Sequence, residues 1–330
     1  MNCQVLITPR SFAMWDREPL QLLEKSALKI VHNPHQKPLT EDEMLDFVPE
    51  MDALLVGIDP VSTKVLHAAP RLKVISKYGS GLDNIDLATA TEKGIVVTYT
   101  PGANSEAVAD FSIGLMLACG RLIVEAHNSV RAGRWERFLG VDLYKKTLGV
   151  IGTGRIGRAV ARRARGFDMK VLAYTRTPDL AWAEHSGVNY VDLDTLLEQS
   201  DFVSVNIALT EQTRGLIDAE KLKIMKPTAV IVNTARGGIV EEEALADALE
   251  QGLIFGAALD VYTEEPLRSK RLLAQERLVT TPHISAYSRG ALLEMGMMAA
   301  GNLIRVLNKE KPDHVANPEV YDKLKEGETS

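Results

Sequence analysis

Residues 146–167 read KTLGVIGTGRIGRAVARRARGF. A short apolar run rich in β-branched residues passes through three closely spaced glycines into a segment with helical period. This pattern predicts a buried strand, a tight turn and a helix laid back along the strand. A strand followed at once by a helix belongs to a parallel sheet, because parallel neighbours need a crossover connection. The same rhythm runs through the chain. CQVLIT, ALLVGI, LKVISKY and GIVVTY read as buried strands, with helical segments at 41–48, 62–69 and 84–92 between some of them. After the glycine turn, KVLAYT, FVSVNIA, TAVIVNTA, FGAALDVY and RLVTTPH follow KTLGVIG, giving about six strands in a second sheet. The fold class is therefore α/β with two doubly wound parallel-sheet domains.

A long segment at about 104–133, rich in small and apolar residues, separates the two series and reads as one helix. Another helix is expected from about Ser288 to Leu307. Pro101-Gly102 and the turn near Pro282 read as hinges. One domain is then discontinuous, comprising 1–101 and 288–330, and the nucleotide-type domain is 102–287. The polar tail KLKEGETS is expected to fray.

The 330 residues suit two domains, and the formal charge of −6 gives no reason to expect a nucleic-acid partner. The cluster Arg162, Arg163 and Arg165 falls at helical spacing and reads as a solvated face. Cys3 and Cys119 form no disulfide or metal framework. No metal site is expected. The N-terminus lacks a signal-peptide pattern, and the apolar run at Phe111–Cys119 is too short to span a bilayer. The expectation is a cytoplasmic protein without a membrane partner.

Gly152-Thr153-Gly154-Arg155-Ile156-Gly157 matches G-x-G-x-x-G between strand and helix. Gly152 permits the tight turn, Gly154 lets a pyrophosphate approach the backbone, and Gly157 lets the helix close on the strand. A dinucleotide site is expected. The acid that normally binds the ribose should end the next strand, but Thr175 stands there, followed by Arg176 and Thr177. Thr175 removes the repulsion of a 2′-phosphate, while Arg176 and Thr177 add donors for it. This favours NADP(H) over NAD(H). The alternative is that Arg176 is a solvated turn residue.

Three further segments place reactive groups at strand exits, where open α/β sheets bind ligands. These are NTARGGIVEE with Arg236, LDVYTEEPL with Asp260, Glu264 and Glu265, and TTPHISAYS with His283. With SKYGSGLDNIDL and TPGANSEAVAD upstream, nearly the whole chain resembles the D-isomer-specific 2-hydroxyacid dehydrogenases. GRWERFLGVDLYKKTLGVIGTGRIG gives it a likeness to their phosphoglycerate dehydrogenase-like subgroup.

The resemblance implies a Rossmann-type nucleotide domain, a flavodoxin-like substrate domain, NAD(P)(H) as cofactor and a small 2-oxo or 2-hydroxy acid as substrate. It makes His283 the general acid in keto-acid reduction, Glu265 its partner through the other ring nitrogen, and Arg236 the clamp on the substrate carboxylate; imidazole suits acid–base work near neutrality. Glu264 becomes the solvated neighbour. The backbone N–H groups of Tyr78, Gly79, Ser80 and Gly81 are implied to hold the carboxylate too, and domain closure to exclude water. Arg155, Ile156, Ile207, Ala208, Thr213, Thr234, Ala235, Asp260 and Ser285 are implied to line the cofactor. The segment at 104–133 resembles the family's dimer element, which implies a homodimer.

Some positions depart from the family pattern. Gly57 stands near where phosphoglycerate dehydrogenases carry a phosphate-binding arginine, although Lys77, Arg134 and Arg137 offer other cations. Asn206-Ile207-Ala208 replaces the usual His-x-Pro. Thr175-Arg176-Thr177 is similar to the turn of the NADPH-using glyoxylate and hydroxypyruvate reductases of the family. The readings are therefore a phosphoglycerate-type dehydrogenase, a glyoxylate or hydroxypyruvate reductase and, from another class, a corepressor-like nucleotide-sensing protein without catalysis. The Arg236, Glu265 and His283 set argues against the last.

Overall fold

The computed structural model describes residues 3–35 and 37–328. The chain divides into two compact units, Met1–Asn104 with Tyr287–Ser330, and Ser105–Ala286. Pro282 thus lies inside the second unit, not at its boundary.

In the first unit, β1 (Gln4–Ile7), β2 (Lys29–His32), β3 (Ala53–Val56), β4 (Val74–Lys77) and β5 (Val96–Thr98) form a sheet of order β2-β1-β3-β4-β5. All pairings are parallel. β3 and β4 are buried on both faces; β3 is apolar throughout, whereas β4 ends in the buried polar residues Ser76 and Lys77. β2 is an edge strand with two exposed residues, and its sequence KIVH carries no comparable signal. The helix Glu18–Lys25 before it was likewise not legible as a separate element. The helix Arg289–Leu307 has the length and apolarity of a membrane span, yet Ala299, Ala300 and Leu303 are fully buried in this unit. Ser76 Oγ on β4 donates to its Ala299 carbonyl at 2.8 Å. Asn317 fixes the segment after it, accepting from Val97 N at 2.8 Å and donating to Ile95 O at 2.9 Å. A helix runs Val320–Glu328 through most of the polar tail, while Thr329 and Ser330 lie outside the described residues.

In the second unit, β6 (Thr147–Ile151), β7 (Lys170–Tyr174), β8 (Val188–Tyr190), β9 (Phe202–Val205), β10 (Val230–Asn233), β11 (Gly256–Leu259) and β12 (Leu278–Thr280) form a parallel sheet of order β12-β11-β10-β9-β6-β7-β8. The strand missed from sequence is β8, whose three residues are too few to show periodicity. Side chains alternate across the sheet as the pleat requires. Val230 and Val232 join the cluster containing Phe202 and Met116, whereas Ile231 joins the one containing Val203 and Leu245. Strand order reverses between β6 and β9, and at such a switch point two adjacent strand exits part to leave a crevice.

The expected helix at 104–133 is two helices, Ser105–Gly120 and Ile123–Arg131, bent by 61°. The break falls at Leu122, whose φ of 52° takes it out of the helical region. In the arginine cluster Arg162 and Arg165 are exposed, as a solvated face requires, and Arg163 is half-buried. Arg162 and Arg163 pair with Glu106, and Arg163 with Asp110 at 2.5 Å, so the helix after the glycine turn is bolted to Ser105–Gly120.

Candidate active site

Gly152 has φ +94°, and a Cβ on Gly157 would lie 1.9 Å from the Gly152 carbonyl. The turn therefore closes tightly onto the first turn of the helix Arg155–Ala164. Its N-cap, Gly154, makes no side-chain cap, and nothing lies within 4 Å of where its Cβ would be. Uncapped N–H groups, a helix N-terminus and an open approach suit a pyrophosphate. Arg155 is exposed and Ile156 half-buried in the helix's first turn, while Ile207 packs against Gly152. The residues present thus fit a dinucleotide.

Beside the turn, Thr175 is half-buried and Arg176 and Thr177 are exposed just beyond β7. Ala208 accepts from Thr213 Oγ1 at 2.7 Å, which ties the loop after β9 upon itself. Thr234 is buried and its hydroxyl lies 2.9 Å from that of Ser112. Ala235 N donates to Asn233 Oδ1 at 3.0 Å.

The reactive groups gather at the exits of β10, β11 and β12, which are neighbours in the sheet. His283 Nδ1 lies 2.9 Å from Glu265 Oε2 and 3.1 Å from Oε1. Both side chains are about one-third exposed, at 36% and 32%, so the pair reaches solvent from a partly desolvated setting. Burial pushes the Glu265 carboxyl up. The His283 hydrogen bond and charge, the Tyr262 N–H and the Arg236 guanidinium outweigh it and hold the carboxyl below its usual value. Arg236 is thereby placed within electrostatic reach of the pair, and its own NH1 donates to Ala235 O at 2.6 Å.

Several features aim this pair. His283 adopts φ +53°, a left-handed conformation costly for a residue with a Cβ, in a turn where its N–H donates to Thr281 O at 3.1 Å. Asp260 is fully buried, and its carboxylate accepts from Thr281 Oγ1 at 2.6 Å and from Ile284 N and Ser285 N at 2.8 Å each. Its oxygens are engaged on both sides of His283, so Asp260 positions the histidine loop. Tyr262, missed from sequence, donates from its N–H to Glu265 at 3.2 Å, and its hydroxyl lies 2.9 Å from both Leu259 O and Thr281 O, which share its one proton. It joins the glutamate loop to the histidine loop, and burial pushes its phenol up to about 12. Gly237 allows the third approach: a Cβ there would meet the Tyr262 carbonyl carbon at 1.9 Å. A pocket of about 320 Å³ opens here, lined by Tyr262, Glu265, Pro266, Leu267, Leu273, Thr280, Thr281, Pro282 and His283. Glu264 pairs outward with Arg268 at 3.1 Å, as its exposure requires.

In the first unit, the Tyr78 N–H donates to Val56 O at 2.9 Å and the Gly79 N–H to Thr100 Oγ1 at 3.0 Å. Two of the four N–H groups expected to hold the carboxylate, those of Tyr78 and Gly79, are thus engaged within the unit. Lys77 is not a surface cation: it is 6% exposed, and its ammonium bonds Gly57 O and, at 2.6 Å, Asn84 Oδ1. Arg134 and Arg137 are exposed, and Arg134 pairs with Glu136 at 3.2 Å.

Residues 113–285 match the model of the D-isomer specific 2-hydroxyacid dehydrogenase, NAD binding domain. A glyoxylate reductase of Thermococcus litoralis is 43% identical over 287 residues, covering 84% of this chain and 87% of that protein. Among solved structures, TT0316 protein from Thermus thermophilus is 38% identical with a TM-score of 0.87, over 95% of this chain and 99% of that one. A glyoxylate reductase from Paecilomyes thermophila is 33% identical with a TM-score of 0.85, over 97% and 99%. With its glycine turn, parallel sheets and His283–Glu265 pair, this chain belongs to the D-isomer specific 2-hydroxyacid dehydrogenases, nicotinamide-dependent oxidoreductases acting on the CH–OH group.

Proposed function

We propose that the protein is an NADP(H)-preferring reductase of small 2-oxo acids, of the glyoxylate or hydroxypyruvate type, and acts as a homodimer. The observation that carries the chemistry is the His283–Glu265 contact of 2.9 Å beside Arg236, at three adjacent strand exits. When bound, the nicotinamide supplies the hydride for the carbonyl carbon. His283, with Nδ1 turned to Glu265, gives the proton to the carbonyl oxygen from Nε2. Glu265 stabilises the protonated ring and fixes its orientation. Arg236 binds the carboxylate by charge-assisted hydrogen bonds and draws electron density from the adjacent carbonyl. In the reverse direction His283 takes the proton from the hydroxyl. The relatives named glyoxylate reductase support a small substrate, and the Thr175-Arg176-Thr177 turn supports NADP(H). The dimer is supported by apolar side chains exposed on 123–144, with Trp135 at 86% and Leu139 at 90%.

The test is NADPH oxidation by the purified protein with glyoxylate and with hydroxypyruvate. Saturable turnover is expected, falling about 10²–10⁴-fold in kcat in His283→Asn while NADPH binding is kept. Nucleotide binding with no turnover on any 2-oxo acid would instead support the non-catalytic sensor.

A further inference from the structure

Four residues beyond position 175, where the usual ribose-binding acid is absent, stands the acid Asp179. Asp179 caps the helix Leu180–Ser186, accepting from Trp182 N at 3.0 Å. Its other oxygen lies 2.8 Å from Arg158 NH2. Arg158 comes from the helix that starts at the glycine turn, and its Nε donates to Thr153 O, inside that turn, at 2.9 Å. Its guanidinium also stacks on the Trp182 ring, 4.7 Å from the centroid. Tyr190, at the end of β8, closes the circuit. Its hydroxyl lies 2.9 Å from Thr153 Oγ1 and accepts from Asp179 N at 3.3 Å. The glycine turn, the segment after β7 and the end of β8 are thus laced together, and the Asp179 carboxylate is held against a cation beside the turn.

We propose that Arg158 determines cofactor specificity by masking Asp179: the ion pair cancels a carboxylate that would otherwise repel an adenosine 2′-phosphate and accept hydrogen bonds from an unphosphorylated ribose. This rests on the NADP(H) reading above and names a residue through which that preference is maintained. Like charges placed close together at a partly desolvated site are strongly disfavoured, and a dianionic phosphate doubles the effect. The pair is only partly exposed, at 39% and 45%, so solvent weakens the masking without abolishing it. Arg176 supplies the attractive cation, and Arg158 removes the repulsive anion. Specificity commonly needs both elements.

The experiment measures dissociation constants of NADP⁺ and NAD⁺ by titration calorimetry at low ionic strength. It uses the full-length protein and Arg158→Gln, Arg158→Lys, Asp179→Asn and the Arg158→Gln/Asp179→Asn double variant. Asn keeps the helix cap, so Asp179→Asn removes charge alone. The wild type is expected to favour NADP⁺. Arg158→Gln should lose that preference by about tenfold or more, chiefly through weaker NADP⁺ binding. Arg158→Lys should keep most of it, and the double variant should return towards the wild-type ratio. If the wild type shows no preference for NADP⁺, the NADP(H) reading itself fails. If the wild type prefers NADP⁺ but Arg158→Gln leaves the ratio unchanged, or the double variant does not recover it, the masking role is overturned and the NADP(H) reading stands.

Discussion

At the residue scale, the proposed catalysis rests on an imidazole whose Nδ1 is committed to Glu265. The folded Glu265 carboxyl titrates below its ordinary 4.5. A depressed carboxyl pKa stabilises the fold fully above the unfolded value, and that contribution is lost as pH falls through the folded one. The melting-temperature gap between wild type and Glu265→Gln should therefore hold steady from pH 6 to about 4.5 and close only at lower pH. A gap already closing at pH 6 would contradict the assignment. Arg236→Lys keeps charge but loses the planar fork, so its KM for the 2-oxo acid should rise by roughly tenfold or more. An unchanged KM would remove Arg236 from the carboxylate. His283 and Arg236 stood out because each follows an apolar strand, whereas Glu265 was told from Glu264 only through the family resemblance. Asp260 and Tyr262 were harder to place. Their work is done by partners at Thr281, Ile284 and Ser285, which become neighbours only when β11 and β12 pair.

At the scale of elements, the strands legible in the sequence carry an apolar run, even where, as in β12, the strand lies at the sheet edge and is only partly buried. The two missed, β2 and β8, are edge strands of four and three residues. The helix break at Leu122 comes just after Gly120, a helix-breaking residue that the reading of 104–133 as one helix passed over. The segment turns through a left-handed leucine, which its burial in the core at 2% exposure stabilises. Arg158 and Asp179 were invisible as a pair because one belongs to a basic helix and the other to a turn 21 residues away. The approach of the β10 loop to the β11 loop depends on Gly237. Gly237→Ala must displace the Tyr262 backbone and should cost about 1–3 kcal/mol. Denaturant melts would show this as a lower midpoint with an unchanged slope; an unaltered midpoint would mean the loop yields freely.

At the scale of the whole molecule, the alternation of strands and helices established the α/β class, and the two parallel sheets follow from it. What the sequence could not supply was the strand order, because order depends on which way each crossover returns. That order sets the β6–β9 switch point and puts β10, β11 and β12 side by side. The exposed Trp135 and Leu139 predict self-association, so light scattering at working concentration should give twice the mass of 36.2 kDa. A monomer would remove the proposed dimer.

The central claim, reduction of a small 2-oxo acid with a 2′-phosphorylated cofactor, is tested most directly by kcat/KM for hydroxypyruvate with NADPH and NADH in the wild type and Arg176→Ala. The account predicts that NADPH leads by about tenfold or more and that Arg176→Ala erases most of the lead. Equal or better rates with NADH, unaltered in Arg176→Ala, would contradict it and leave Arg176 a surface residue.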